Sequence, residues 1–225
     1  MHNYLFAPAL AGVVLLAGCS SLAEQQSQRI AAIPEAKRSY IIGTYKVGCE
    51  RDKDVCKQRF NTITTYYSDR KDDTALYMFK ITAGRTFGSD DPLDVTSMER
   101  RENGIYFCVP LPAGQYRVFA YDFYNAANGG MRYNMTKESF FDVPFTLAEG
   151  EVLDIGTLKV STTTGKNFFG MQLPAPGTLL LSGSSQEAAS KALQKCPADV
   201  RQRPVRSAPL QPDPKSTFVL ADPKP

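Results

Sequence analysis

From Tyr40 onward the chain reads as short runs in which apolar and polar residues alternate, separated by Gly, Asp, Asn and Pro. Alternation with period two sends successive side chains to opposite faces, the mark of a half-buried strand. The pattern predicts strands over 40–47, 62–67, 75–81, 105–109, 115–124, 140–147 and 152–160, with a further one over 178–181. Seven or eight short strands with regular turn signals predict a mainly β fold, an antiparallel β-sandwich.

The clearest pair of runs flanks Pro110-Leu111-Pro112-Ala113-Gly114. Ile105, Phe107 and Val109 alternate with Tyr106 and Cys108, and Tyr116, Val118 and Ala120 alternate with Arg117, Phe119 and Tyr121. A hairpin that pairs Phe107 with Tyr116 sets Ile105 opposite Val118 and gathers both apolar sets on one face, whereas a one-residue slip mixes the faces. This register leaves Cys108 and an aromatic row, Tyr106, Phe119, Tyr121 and Phe123, on the outer face, with Tyr133 extending it. Phe141, Val143, Phe145 and Leu147 form another apolar stripe. At Gly156 the apolar parity switches from Leu153 and Ile155 to Leu158 and Val160, which predicts a bulge.

The flanks read differently. Residues 19–39 are polar and predict a tether ahead of a domain spanning 40–183. Ser184-Ser185-Gln186-Glu187 has the spacing of a capping box, and Ala188, Ala189, Ala192, Leu193 and Cys196 share one helical face. A C-terminal helix within 184–197, stopped by Pro197, is expected to pack on a sheet. Residues 198–225 hold six prolines and few apolar side chains, so they are expected to be disordered, and a chain ending at Pro197 is expected to fold as well as the whole.

Residues 5–17 are an unbroken apolar run, too short for the roughly 20 residues of a membrane-spanning helix and placed like the core of a signal peptide. The run ends in Leu16-Ala17-Gly18-Cys19, which resembles the bacterial lipobox. The resemblance implies that residues 1–18 are removed and that Cys19 carries acyl chains as the first residue of the mature protein. Ser20, where Asp commonly retains lipoproteins at the inner membrane, implies the outer membrane, with the domain facing the periplasm.

Four cysteines remain, Cys49, Cys56, Cys108 and Cys196. An even number outside the cytoplasm predicts disulfides, with three connectivities open to four thiols. Cys49 and Cys56 flank a charged, loop-like stretch and are paired locally, which leaves Cys108 for Cys196. That second bond would lay the helix across the outer face, with Ala188, Ala192 and Leu193 over the aromatic row.

Charge and composition narrow the chemistry. The net charge of +3 over 225 residues argues against a dedicated nucleic-acid binder. The single histidine is His2, within the signal segment, so the mature chain has no imidazole base for a Ser or Cys triad. No catalytic residue, metal ligand or cofactor motif is expected. The acidic groups Asp69, Asp72 and Asp73, and Asp90, Asp91 and Asp94, read as solvated loop charge, though paired carboxylates would suit a glycosidase or a metal-dependent enzyme.

Leu111-Pro112-Ala113-Gly114-Gln115-Tyr116-Arg117-Val118 resembles the turn-and-strand of transthyretin-like and carboxypeptidase-regulatory-like sandwiches. Phe140 to Leu147, followed by Glu149-Gly150-Glu151, and the helix ending at Cys196-Pro197 resemble a group of bacterial lipoproteins. The resemblance covers roughly residues 75–197 and implies a transthyretin-like sandwich without an assigned reaction. Together these features predict a non-enzymatic lipoprotein that binds or scaffolds an envelope protein or polysaccharide. The alternative is a carbohydrate-binding module for envelope polysaccharide or peptidoglycan, using the aromatic row as a stacking platform.

Overall fold

The computed structural model describes residues 22–49, 62–72, 75–82, 92–97, 102–125, 131–166, 168–170 and 172–222. Cys19, Cys56, Asp73, Asp90 and Asp91 lie outside them, as does the expected Cys49–Cys56 bond. In chain order the strands are β1 (Ser39–Cys49), β2 (Thr62–Asp69), β3 (Leu76–Thr82), β4 (Val95–Ser97), β5 (Glu102–Leu111) and β6 (Gly114–Asn125). They continue as β7 (Met131–Asn134), β8 (Val143–Leu147), β9 (Val152–Lys166), β10 (Gln172–Ser182), β11 (Val205–Ser207) and β12 (Val219–Ala221). The helices are α1 (Leu22–Ala31) and α2 (Gln186–Gln194).

The strands form two sheets. A seven-stranded sheet is ordered β12-β10-β9-β1-β5-β4, with β11 beside β9; a five-stranded sheet is ordered β3-β2-β6-β7, with β8 beside β6. The five-stranded sheet is antiparallel throughout. The seven-stranded sheet is mixed, because β9 runs parallel to β1 and to β11, and β12 parallel to β10. The expectation of purely antiparallel pairing is corrected here: residues 50–151 separate β1 from β9, so no hairpin joins them.

Each predicted strand is present, but the predicted hairpin is not. β5 pairs with β1, Leu111 opposite Ser39, while β6 pairs with β8, Gly114 opposite Leu147. The Leu111–Gly114 segment therefore carries the chain from one sheet to the other. Phe107 and Tyr116 never become ladder partners, although both join the same buried cluster. That cluster draws Ile41, Tyr45, Phe107, Leu153, Leu158 and Leu179 from the larger sheet and Ile63, Tyr67, Phe79, Val118, Tyr121 and Phe145 from the smaller.

Phenol groups tie the two sheets together inside this cluster. The hydroxyls of Tyr45 and Thr65 are 2.9 Å apart, and Tyr121 donates to the Gly177 carbonyl at 2.7 Å. A buried phenol needs such a partner to offset its lost hydration. Burial raises the Tyr45 phenol well above its ordinary value, so it stays protonated.

The bulge at Gly156 is present. The β1–β9 register shifts between Ile42 and Thr44, and Gly156 has φ +89°. A Cβ there would run into the Ser182 carbonyl oxygen, so both the backbone angle and the close approach require glycine. The shift lets Leu153, Ile155, Leu158 and Val160 all enter the core.

Two expectations about the flanks are corrected. The tether contains a helix, α1, which packs near β3, where Arg29 hydrogen-bonds the Tyr77 phenol. The Pro-rich segment after Pro197 is ordered through residue 222: β11 and β12 add to the seven-stranded sheet, and Val200, Leu210 and Val219 are buried. Val200, Leu210 and Val219 find slots against strands supplied by the rest of the chain, while Val205 and Leu220 stay exposed, so the segment needs no core of its own.

Candidate binding cleft

The outward side of the seven-stranded sheet changes character along β1. Tyr40 and Ile42 come first, then Thr44 and Lys46, all at the same parity. The first pair joins Val152, Ala192, Cys196 and Val200 in a second apolar cluster, with Tyr106, Cys108 and Leu193 partly buried against it. Helix α2 covers this half, and the Cys108–Cys196 disulfide fixes it there.

The start of α2 is built from side-chain caps. Ser185 is the N-cap, accepting from the Ala188 amide at 3.2 Å. The capping-box reading is thus off by one residue. Ser184 instead donates to Asp154 Oδ1 at 2.8 Å, and the same oxygen accepts from the Gly156 amide at 2.9 Å. Glu187 pairs with Lys191 at 2.7 Å, and the ammonium hydrogen-bonded to it holds that carboxyl below its ordinary value.

Between the start of α2 and the polar half of the sheet lies a cleft of about 460 Å³. Thr44, Lys46, Tyr106 and Thr157 line it from the sheet, Val95 from β4, and Gly183 to Ser185, Glu187 and Ala188 from the helix side. Thr44 is fully buried, and its hydroxyl Oγ1 has no hydrogen-bond partner. Lys46 is 3.4 Å from Glu102, which also holds Lys159 at 3.2 Å; Lys159 reaches Asp222 at 2.6 Å. Of this chain of two cations and two carboxylates, Lys46 lines the cleft.

The four residues of the expected aromatic platform separate. Tyr106 lines the cleft, under the Lys191 ammonium at 5.9 Å from its ring centroid. Tyr121 and Phe123 are buried between the sheets, and Tyr133 packs against Phe123. Phe119 packs with Tyr66 and Phe140 at the five-stranded sheet, with the Arg117 guanidinium 5.8 Å from its centroid. The cause is a bulge: β6 pairs Val118 with Tyr67 but Ala120 with Tyr66, so Phe119 is the extra residue and the parity beyond it flips. Helix α2 and its disulfide are where they were expected, on the outward side of β5, but of the aromatic row only Tyr106 lies against the helix; Tyr121 and Phe123 face the core, and Phe119 packs at the other sheet.

A second polar cluster lies on the smaller sheet. Tyr66 donates to Asp122 at 2.7 Å, and Arg132 to the same oxygen at 2.9 Å. Burial, reinforced by the Asp122 carboxylate, pushes the Tyr66 phenol up to about 12. Of the acidic loop residues, Asp94 accepts from the Tyr106 amide at 2.9 Å and from Lys195 at 2.6 Å, and Asp69 accepts from the Lys71 amide at 2.7 Å. These are loop-closing contacts. Thr44, Lys46 and Thr157 were not singled out from the sequence. Their signal was there in the outward parity of β1, which turns from Tyr and Ile to Thr and Lys where the helix ends.

No family model matches the chain, and no curated protein matches it. Among solved structures, a leucine-rich repeat protein from Bacteroides thetaiotaomicron is similar at 15% identity and a TM-score of 0.31, over 57% of this chain and 14% of that one. The chain thus spans a small fraction of that protein's length, and a similarity at this level carries no argument about fold or function.

Proposed function

We propose that this chain is an envelope lipoprotein, anchored through Cys19 to the outer membrane, whose two sheets pack as a transthyretin-like sandwich and present a binding cleft without catalysis. The observation that carries the binding role is Thr44. A buried hydroxyl without a partner costs about 1–3 kcal/mol, and this one belongs to the floor of a cleft within the size range of small-molecule sites. A ligand that opens the cleft floor enough to hydrogen-bond Thr44 would remove that cost. Thr157 and Ser184 add neutral polar groups, Tyr106 an aromatic face and Lys46 a cation, a set suited to a small polar ligand such as a saccharide unit bearing an acidic substituent. This keeps the carbohydrate alternative while moving it from an aromatic platform to the cleft. The Cys108–Cys196 bond fits an oxidising compartment outside the cytoplasm.

Thr44→Val keeps shape and removes the hydroxyl. It is expected to leave the ligand-free protein as stable or more stable in urea denaturation, while weakening binding of peptidoglycan fragments or acidic envelope oligosaccharides followed by NMR titration. A clear loss of stability with unchanged binding would make Thr44 structural and remove the cleft as the site. For the anchor, Cys19→Ala is expected to abolish metabolic labelling with a fatty-acid probe; label retained in that variant would refute it.

A further inference from the structure

The β9–β10 pair outruns its sheet. β1 accompanies β9 as far as Cys49 opposite Thr162. Beyond that point, Thr163 to Lys166 pair with Gln172 to Ala175 of β10, and among the described residues no other strand joins them. At roughly 3.4 Å per residue this two-stranded ribbon projects by about 13 Å. At its end stand Phe168, 97% exposed, and Phe169, 81% exposed, with ring centroids 5.6 Å apart in an edge-to-face pair. Gly170 follows with φ +76°, the backbone that turns the chain back, and nothing lies within 4 Å of where its Cβ would be.

We infer that this tip is a lipid-contacting finger that seats Phe168 and Phe169 in the interfacial layer of an anionic bilayer. Area separates a bilayer from a protein partner. Two phenylalanines offer about 400 Å², half of the roughly 800 Å² that each partner of a specific protein interface contributes. The two rings stand at the end of a two-stranded ribbon, a narrow base for a protein interface. A bilayer interface needs no complementary pocket and takes up aromatic side chains on a narrow projection.

Charge points the same way. Residues 155–186 contain no Asp or Glu, and their two charges are Lys159 and Lys166. Lys159 is held by Glu102 and Asp222, and the sequence two positions before Phe168 carries the other, Lys166, of the sign that anionic headgroups attract. The tip lies past the carboxyl end of β1, at the opposite end of the sheet from Ser39.

The chain contains no tryptophan, so Phe168→Trp in the full chain gives a single local reporter at a position too exposed to disturb folding. With vesicles of phosphatidylethanolamine and phosphatidylglycerol, its emission is expected to shift to the blue and to be quenched by brominated acyl chains. Adding Phe169→Ser should reduce both effects, and Phe140→Trp, at the five-stranded sheet, should show neither. No shift with vesicles would overturn the inference. So would an equal response at position 140, or a shift seen only with an envelope protein fraction, which would assign the finger to a protein partner.

Discussion

The two sheets are built in opposite ways. The five-stranded sheet uses residues 62–147 alone and is antiparallel throughout. The seven-stranded sheet takes strands from both ends of the described chain, pairs three times in parallel, and adds a helix, a disulfide and a buried charge chain on its outward side. The first draws its strands from one span of the chain. The second brings segments from farther apart together, with the disulfide and the Lys159–Asp222 and Arg206–Glu151 pairs at its added elements. Loop-closure entropy is the reason: contacts between distant segments begin with a larger deficit and need stronger local terms to offset it. The cleft and the tip of the β9–β10 hairpin both lie on the fastened sheet.

Removal of the carboxyl-terminal fastening should have the largest effect. A chain ending at Pro197 loses buried Val200, Leu210 and Val219, strands β11 and β12, and the Asp222 partner of Lys159. At about 1.5–3 kcal/mol per buried aliphatic side chain, the apolar loss alone is on the order of 5 kcal/mol, comparable with the whole stability of many domains. Such a chain is expected to unfold at a much lower urea midpoint than the full chain. Equal midpoints would show that the segment rests on the sheet without supporting it.

The disulfide comes next. It joins residues 88 apart, and in the chain-entropy model the cross-link contributes about 4 kcal/mol. Cys108→Ser with Cys196→Ser should lower stability by roughly that amount, and hydrogen exchange should locate the loss. Amides of α2 and of β1 and β5 beneath it should lose protection first, ahead of β2, β3 and β6. Uniform loss across both sheets would mean that the helix is not a separate fastening and would dissolve the contrast between them.

The same contrast divides what the sequence shows from what it hides. Alternation located β1, β2, β3, β5, β6, β8 and β9, because each buries one face whichever strand lies beside it. It did not say which strands pair. Leu111 to Gly114 satisfies a hairpin turn and a passage between sheets equally well, since Phe107 and Tyr116 face a common core in both. Phe119 to Phe123 is apolar at nearly every position, so the bulge at Phe119 leaves no mark in the pattern, whereas the bulge at Gly156 was legible because a glycine coincides with a clean switch of parity. Cys108 faces outward as the alternation requires, and with the helical spacing up to Cys196 that was enough to foresee the bond. Composition predicts disorder for the Pro-rich segment because it measures whether a segment can build its own core. Val200, Leu210 and Val219 fill places on a sheet that already exists. Thr44 and Thr157 were overlooked because threonine is an ordinary strand residue, and the missing hydrogen bond at Thr44 is a property of its neighbours.

The smallest effect tests one three-residue junction, β11 against β9. Arg206 of β11 pairs with Glu151 just before β9 and donates to the Thr146 carbonyl at 3.0 Å. The Arg206 guanidinium hydrogen-bonded to Glu151 holds that carboxyl below its ordinary 4.5. A carboxyl whose value is lowered by folding binds fewer protons in the folded chain, so its contribution is complete above about 4.5 and is lost as pH falls through the lowered value. Glu151→Gln should therefore be less stable than the parent near neutral pH, by a small margin because the pair is partly exposed, and the two should converge in strong acid. The measurement is the difference between their urea midpoints across that range, which cancels the other carboxylates to first order. A difference that persists unchanged into strong acid would mean that Glu151 acts there through its hydrogen bond to the Ala148 amide and not through its charge. Junction β11 would then be held by its ladder and by Arg206 on Thr146 alone, and the seven-stranded sheet would have one fastening fewer than its charges suggest.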